Sequence, residues 1–319
     1  MKIIILAAGT GSRLGPITNN TPKPLIDLGY GKTLLETQME NIIGSKVIEE
    51  IILVTGYCAD QIDAKIKKYQ QEGVNIRTIY NPFYEVSNNL MSLWMAKSEM
   101  TGDFLITNGD NIFEPSVFKQ LIEKGSKGIH LTITNKNKYY EDDMKVILDG
   151  HLVDQVSKTL SNESANAESV GLALVSGEKY REIFKDNLEA LARDKRYIGK
   201  FWLEIFNRMS HHGVPINTFE IEGKSNWLEI DFHGDLNEVI RNLFIRKMTS
   251  LSKEDADSIS KDLMNLNNPK IQTEEVIKIL DVLPQKHDEV NHLFTKDSLS
   301  SEEVDAVLKI VKRYSNQQI

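Results

Sequence analysis

The sequence predicts a doubly wound, mostly parallel α/β sheet followed by a small all-α C-terminal module. Three observations carry this. The runs Ile3-Ile4-Ile5-Leu6, Ile51-Ile52-Leu53-Val54 and Phe104-Leu105-Ile106 have the continuous hydrophobicity of strands buried on both faces. Segments of helical period separate them, the alternation of a parallel sheet. From Met248 onward strand signals stop and only short amphipathic stretches follow. The expected division is residues 1–247 and 248–319.

The elements follow in order. Lys2 to Leu6 is a strand, and the small-residue turn Ala7-Ala8-Gly9-Thr10-Gly11-Ser12-Arg13-Leu14-Gly15 leaves it. Leu34, Leu35, Gln38, Met39, Ile42 and Ile43 give a helix over Thr33–Ile43. A strand over Glu49–Thr55 ends at Gly56-Tyr57, a helix spans Ala59–Gln71, and Gly73 closes it. Val74–Tyr80 is a strand, Asn81–Asn89 a polar loop and Leu90–Met100 a helix. The strand Asp103–Thr107 runs into Asn108-Gly109-Asp110-Asn111. Gly128–Thr134 alternates apolar and polar residues, and Lys145–Leu148 and Leu152–Val156 flank Asp149-Gly150 as a hairpin, so this region reads as antiparallel. A strand at Val170–Val175 leads to helices at Glu178–Ala192 and Ile198–Met209. Strands at Ile216–Ile221 and Trp227–Asp231 precede a helix from Gly234 to Lys247. The tail reads as helices over Ser252–Leu263, Thr273–Leu280, Lys286–Leu293 and Ser301–Tyr314. Thr273 and Ser301 are expected N-caps, and Ser300-x-x-Glu303 forms a full capping box.

Composition narrows the function. Of 319 residues 40% are hydrophobic and 26% charged, as in an ordinary globular protein. The net charge of −8 argues against nucleic-acid or anionic-membrane partners. The tail, with 9 Lys+Arg against 13 Asp+Glu, does not read as an RNA-binding arm. Cys58 is the sole cysteine, which excludes an intramolecular disulfide and a cysteine zinc site. No apolar run approaches 18 residues and Met1 leads straight into a strand, so neither a transmembrane helix nor a signal peptide is expected and the cytoplasm is the default.

Chemistry concentrates at the ends of the strands, where open parallel sheets bind ligands. The glycine turn after the first strand can present successive amides to an anion. Lys23, stiffened between Pro22 and Pro24, is placed to meet a triphosphate. The spacing is not that of a dinucleotide fingerprint, because the third glycine, Gly15, falls one residue late; no G-K-[ST] closes a P-loop either. Asp110, at the end of a central strand, suits a nucleotide-bound Mg²⁺ and equally a turn aspartate. Glu229 and Asp231 share one strand face and offer further carboxylates. Asn88 and Asn89 read as helix caps, as ligand contacts, or both. The seven histidines show no metal-ligand spacing.

The string Leu6-Ala7-Ala8-Gly9-Thr10-Gly11-Ser12-Arg13-Leu14 with Thr21-Pro22-Lys23-Pro24-Leu25 resembles the signature of the sugar-phosphate nucleotidylyltransferase superfamily. Asn81-Pro82-x-Tyr84-x-x-Ser87-Asn88-Asn89, Asn108-Gly109-Asp110-Asn111 and Trp227-Leu228-Glu229-Ile230-Asp231 resemble its cytidylyltransferase branch, the choline-phosphate and phosphonate cytidylyltransferases. The resemblance implies a Rossmann-like nucleotidyltransferase fold and a Mg²⁺-dependent enzyme. Such an enzyme joins CTP to a small phosphorylated alcohol or phosphonate and releases pyrophosphate. Arg13, Lys23 and Asp110 would be catalytic, and Asp110 and Asp231 would hold Mg²⁺. Leu6, Ala7, Ala8, Gly9, Thr10, Gly11, Arg13, Lys23, Asn88 and Gly109 would bind the nucleotide. Tyr84, Asn89, Lys145, Lys158, Trp202 and Glu229 would face the acceptor. Lys145 and Lys158 read equally as surface lysines, and Trp202, on a helix with Ile198, Phe201 and Ile205, reads more readily as core. The rival activities are a hexose-1-phosphate uridylyl- or thymidylyltransferase and a non-catalytic nucleotide-binding regulatory protein. Glu275–Val311 resembles the HRDC-like domain of an archaeal RNA polymerase component, which implies an appendage for a homodimer or a protein partner, or else a helical cap on the catalytic domain.

Overall fold

The computed structural model describes residues 1–28, 31–221, 227–231, 253–294 and 298–315. The chain forms two compact units, Met1–Leu236 and Asn237–Ile319. The boundary expected after residue 247, and the helix expected over 234–247, lie outside the described residues.

In the first unit the elements run β1 (Lys2–Ala7), α1 (Leu34–Ser45), β2 (Glu50–Thr55), α2 (Ala59–Gln71), β3 (Ile76–Tyr80), α3 (Asn89–Met95), β4 (Phe104–Asn108), β5 (Asn111–Phe113) and α4 (Pro115–Lys124). They continue with β6 (Gly128–Thr134), β7 (Lys145–Asp149), β8 (Leu152–Ser157), β9 (Ala167–Ser176), α5 (Glu178–Ala192), α6 (Glu204–His211), β10 (Ile216–Glu220) and β11 (Trp227–Glu229). The main sheet has the order β3-β2-β1-β4-β9-β6-β10-β8-β7. β3, β2, β1 and β4 run parallel, as the buried apolar runs predict. Beyond them the sheet is mixed. β6 and β10 are parallel, and β9 is antiparallel to β4, β6 and β7. Because β9 pairs with β7 as well as with β6, the strands β9-β6-β10-β8-β7 close on themselves.

Alternation along the strands builds a core on each face. Ile4 and Leu6 pack with Leu90, Leu93, Phe184 and Phe206 from α3, α5 and α6. Ile3, Ile5 and Ala7 pack with Leu35, Met39, Ile62 and Phe118 from α1, α2 and α4. Each fully buried isoleucine of β1 contributes roughly 1.5–3 kcal/mol. The strand order turns back at β1 and β4, so the carboxyl ends of these two strands form the crevice where such sheets take ligands.

Some expectations shift. The helix predicted from Ile198 begins only at Glu204. Residues 198–202 are instead tied to the asparagine pair, Asn88 N donating to the Ile198 carbonyl at 2.9 Å and Trp202 N to Asn89 Oδ1 at 2.8 Å. β5 and α4 are additional elements; β5 has only three residues, too few to display a period.

The second unit contains α7 (Lys253–Met264), α8 (Thr273–Val282), α9 (His287–Leu293) and α10 (Ser301–Ser315). Its core includes Ile259, Leu263, Ile279, Val290, Val307 and Val311. The capping box before α10 forms as expected: Glu303 N donates to Ser300 Oγ at 3.3 Å and Ser300 N to Glu303 Oε2 at 2.6 Å. The cap of α8 sits one residue earlier than expected, at Gln272. Among the described residues no helix is long and apolar enough to cross a membrane.

Candidate active site

The glycine turn is shaped by its own residues. Gly11 has φ +66°, and a Cβ there would lie 3.1 Å from both Lys23 Cβ and Thr18 Cγ2, so the loop and the lysine segment pack at backbone distance. Thr18 Oγ1 donates to the carbonyls of Gly11 (3.0 Å) and Gly15 (3.1 Å). Leu6, Ala7 and Ala8 are buried, while Gly9 and Thr10 are exposed at the crevice. On the next strand a Cβ at Gly109 would lie 3.0 Å from the Leu6 carbonyl and from Ala7 Cβ. That lets the end of β4 close onto β1, with Gly109 N donating to the Leu6 carbonyl at 2.8 Å.

Five charged residues converge here. Lys23 Nζ lies 2.8 Å from Asp110 Oδ2 and 3.0 Å from Asp231 Oδ1. Arg13 Nη1 lies 2.8 Å from Asp231 Oδ2. Asp110, Glu229 and Asp231 each offer an oxygen, all within 4.8 Å of one another. Two backbone contacts bring β11 to Asp110: Glu229 is opposite Asn111 in the β5–β11 ladder, and Ile230 N donates to the Asp110 carbonyl at 3.2 Å.

The electrostatics are unbalanced. Burial, then the charges of Asp110 and Asp231, push the Glu229 carboxyl well above the usual carboxylate range, with Lys23 opposing. Burial also disfavours the Asp231 charge, yet Lys23 and then Arg13 and Lys158 hold its pKa below normal. Burial lowers the Lys23 pKa, but Asp110 and Asp231 outweigh this and raise it. Asp110 Oδ1 is buried and has no hydrogen-bond partner among the described residues. Three close carboxylates, one with an orphaned oxygen, make a hard oxygen donor set of the kind Mg²⁺ takes.

The remaining expected residues divide. Asn88 caps α3, its Oδ1 accepting from Asn89 N at 2.8 Å, and its Nδ2 donates to the Gly199 carbonyl at 3.4 Å. With Asn89 it positions residues 198–202. Lys158 Nζ stands 5.6 Å from the centre of the Phe201 ring, and its charge helps to hold Asp231 ionised. The Tyr84 ring lies 6.4 Å from that of Tyr57, and its hydroxyl donates to Glu85 at 3.2 Å.

Lys145 and Trp202, read at the sequence level as acceptor contacts or as a surface lysine and a core tryptophan, are both held by the protein's own groups. Both are 1% exposed. The Lys145 ammonium donates to the carbonyls of Tyr140 (2.8 Å) and Glu141 (3.3 Å), in the loop that leads into β7. Trp202 packs edge-to-face on Phe206 and donates its indole N–H to Asn108 Oδ1 at 2.9 Å, so it braces the end of β4 from the core.

Sequence reasoning missed a second charged cluster. Lys136 Nζ lies 3.1 Å from Asp143 Oδ1 and 2.5 Å from Glu168 Oε2. Burial pushes the Glu168 pKa up to about 7, Lys136 opposing and Asp143 adding to the rise. The Glu168 charge is also felt by Glu229. Lys136 borders a cleft of about 540 Å³ between the loops at 136–139 and 162–166. Loop residues carry no period, and Glu168 precedes the expected start of its strand, so no signal marked this group.

Residues 2–143 match the family model described as nucleotidyl transferase. Over 119 residues the chain is 39% identical to choline-phosphate cytidylyltransferase of Streptococcus pneumoniae, covering 37% of this chain and 48% of that protein. Over 239 residues it is 25% identical to CMP-5'-(3-aminopropyl)phosphonate synthase of Streptomyces rubellomurinus, covering 74% of this chain and 37% of that protein. The chain thus spans less than half the length of these curated relatives. A solved structure of CTP:phosphocholine cytidylyltransferase from Streptococcus pneumoniae superposes with a TM-score of 0.62 at 25% identity, covering 76% of this chain and 98% of the other. None of these similarities supports the likeness of the tail to the HRDC-like domain of the archaeal polymerase. The first unit is a member of the nucleotidyltransferase superfamily, related to cytidylyltransferases.

Proposed function

We propose that the protein is a Mg²⁺-dependent cytidylyltransferase that joins CTP to a small phosphorylated alcohol or a phosphonate. The observation that carries this reading is the convergence of Arg13 and Lys23 with Asp110, Glu229 and Asp231 at the carboxyl ends of β1 and β4. An oxygen of the acceptor attacks the α-phosphorus of CTP, and the bond from that phosphorus to the bridging oxygen of the β-phosphate breaks. Pyrophosphate leaves and a CMP-linked head group remains. The attacking phosphate is already anionic, so charge neutralisation and alignment matter more than a general base. Asp110 and Asp231, with Glu229 beside them, would hold Mg²⁺; when bound it neutralises phosphate charge and orients the nucleotide. Lys23 and Arg13 meet the triphosphate, and the Leu6–Gly11 turn and Gly109 accept the nucleoside. Lys158, Tyr84 and Asn89 face the acceptor.

Nucleoside triphosphates are substrates of the cytoplasm, which is the compartment proposed. The helices of the second unit are read as a protein-interaction appendage, through a second copy or another protein. The test is Mg²⁺-dependent pyrophosphate release with CTP, UTP and dTTP, each offered phosphocholine, 2-aminoethylphosphonate, inositol phosphate or glucose 1-phosphate. Turnover of CTP with one small head group is the expected result. Turnover of UTP or dTTP with glucose 1-phosphate would replace it with the hexose reading, and nucleotide binding without turnover with the regulatory one.

A further inference from the structure

Gln38 lies on α1, outside the charged cluster, and is only 3% exposed. Its Nε2 donates to two backbone carbonyls, Asn108 at 3.1 Å and Asn111 at 2.6 Å. These carbonyls stand on either side of Gly109-Asp110, so one amide group clamps both ends of the turn that carries Asp110. Its own Oε1 is buried without a hydrogen-bond partner among the described residues. Turning the amide over would satisfy nothing, because the oxygen would then face two carbonyls. A buried acceptor left unsatisfied costs stability, and here that cost accompanies two donations into one short turn.

The clamp reaches all three acids. Asp110 lies between the two carbonyls that Gln38 holds. Glu229 is opposite Asn111 in the ladder, and Asn111 is anchored further by donation to the Val170 carbonyl at 3.0 Å and by Trp227 Nε1 donating to its Oδ1 at 3.3 Å. Asp231 follows Ile230, whose N–H donates to the Asp110 carbonyl. We propose that Gln38 is a positioning residue: by pinning the Asn108–Asn111 turn it sets the spacing of the three carboxylates for a divalent cation. This rests on the metal reading given above. The same helix supplies a control. Asn41 donates to the Phe113 carbonyl at 2.9 Å, fixing the far end of β5 without touching the Asp110 turn.

The test is Mn²⁺ binding followed by electron paramagnetic resonance with CTP present, alongside CTP binding without metal. Gln38→Met keeps side-chain length and removes both donors; Gln38→Glu removes them and adds repulsion. Each variant is expected to weaken Mn²⁺ binding by about tenfold or more, the scale of outer-shell changes at metal sites, while metal-free CTP affinity is unchanged. Asn41→Leu is expected to lower the melting temperature and leave Mn²⁺ affinity intact. Unchanged Mn²⁺ affinity in folded Gln38→Met or Gln38→Glu overturns the proposal, as does an equal loss in Asn41→Leu. Failure of the unaltered protein to bind Mn²⁺ at all overturns the metal reading itself, and the proposal with it.

Discussion

Two lysines of the first unit each sit between two carboxylates, and the pairs behave differently. Lys23 bridges Asp110 and Asp231, and Lys136 bridges Asp143 and Glu168. Around Lys23 the turn after β1 adds Arg13, which helps hold Asp231 below the normal range, and β11 adds a third acid, Glu229, which is pushed well above it. Around Lys136 burial dominates: it takes the Glu168 carboxyl up to about 7 despite the ammonium beside it. The first cluster draws on segments far apart in sequence, and its Arg13 is half exposed. The second joins one loop to the strand beside it. The same ionic motif therefore serves two ends. One is joined by Arg13 and by a third acid, Glu229, at the ends of β1 and β4, and the other ties a loop to β9 through a strongly buried carboxylate.

This contrast can be broken in order of expected effect. Lys23→Ala and Asp110→Asn are each expected to lower kcat by roughly 100-fold or more, the scale of lost transition-state electrostatics; steady-state pyrophosphate release reads this, and near-full activity in either variant removes that residue from the mechanism. Lys158→Ala is expected to raise the KM for the acceptor about tenfold and leave the KM for CTP unchanged; a rise in the CTP value instead would move Lys158 to the nucleotide side.

The support cluster is read through stability rather than turnover. Glu168 has its folded-state pKa raised from 4.5 to about 7, so its favourable contribution is fully present below pH 4.5 and is lost as pH rises through 7. Relative to Glu168→Gln, the unaltered protein should therefore lose roughly 2–3 kcal/mol between pH 5 and 8. Parallel stability curves for the two proteins in denaturant would contradict this. The smallest effect belongs to Trp202→Phe, which deletes the hydrogen bond to Asn108 and should cost about 1 kcal/mol in the same assay.

The legible parts of the molecule are those in which one stretch of sequence carries its own geometry. β1, β2 and β4 announce themselves as apolar runs, and the glycine turn with Pro22-Lys23-Pro24 lies within 25 residues of the start. Glu229 and Asp231 are visible as a pair because strand period alone puts them on one face. Long-range assembly hides the rest. Lys136 and Glu168 meet only because β6 and β9 are paired. Trp202 reads as helical because Ile198, Phe201 and Ile205 keep helical spacing. Asn88 and Asn89 instead hold residues 198–202 out of the helix, a tertiary contact that overrides local pattern. Gln38 falls on the apolar face of α1 by period, and only the folded turn reveals what its amide holds.

The central claim is that the Lys23–Asp110–Asp231 constellation transfers CMP to a small phosphorus-containing acceptor. The most direct measurement is phosphorus NMR of the protein with CTP, Mg²⁺ and either phosphocholine or 2-aminoethylphosphonate. The account predicts loss of the CTP resonances, with pyrophosphate and an unsymmetrical P–O–P linked product appearing in equal amounts, and none of this in Asp110→Asn. Release of free CMP without a linked product, or an unchanged spectrum from a protein that binds CTP, would contradict it.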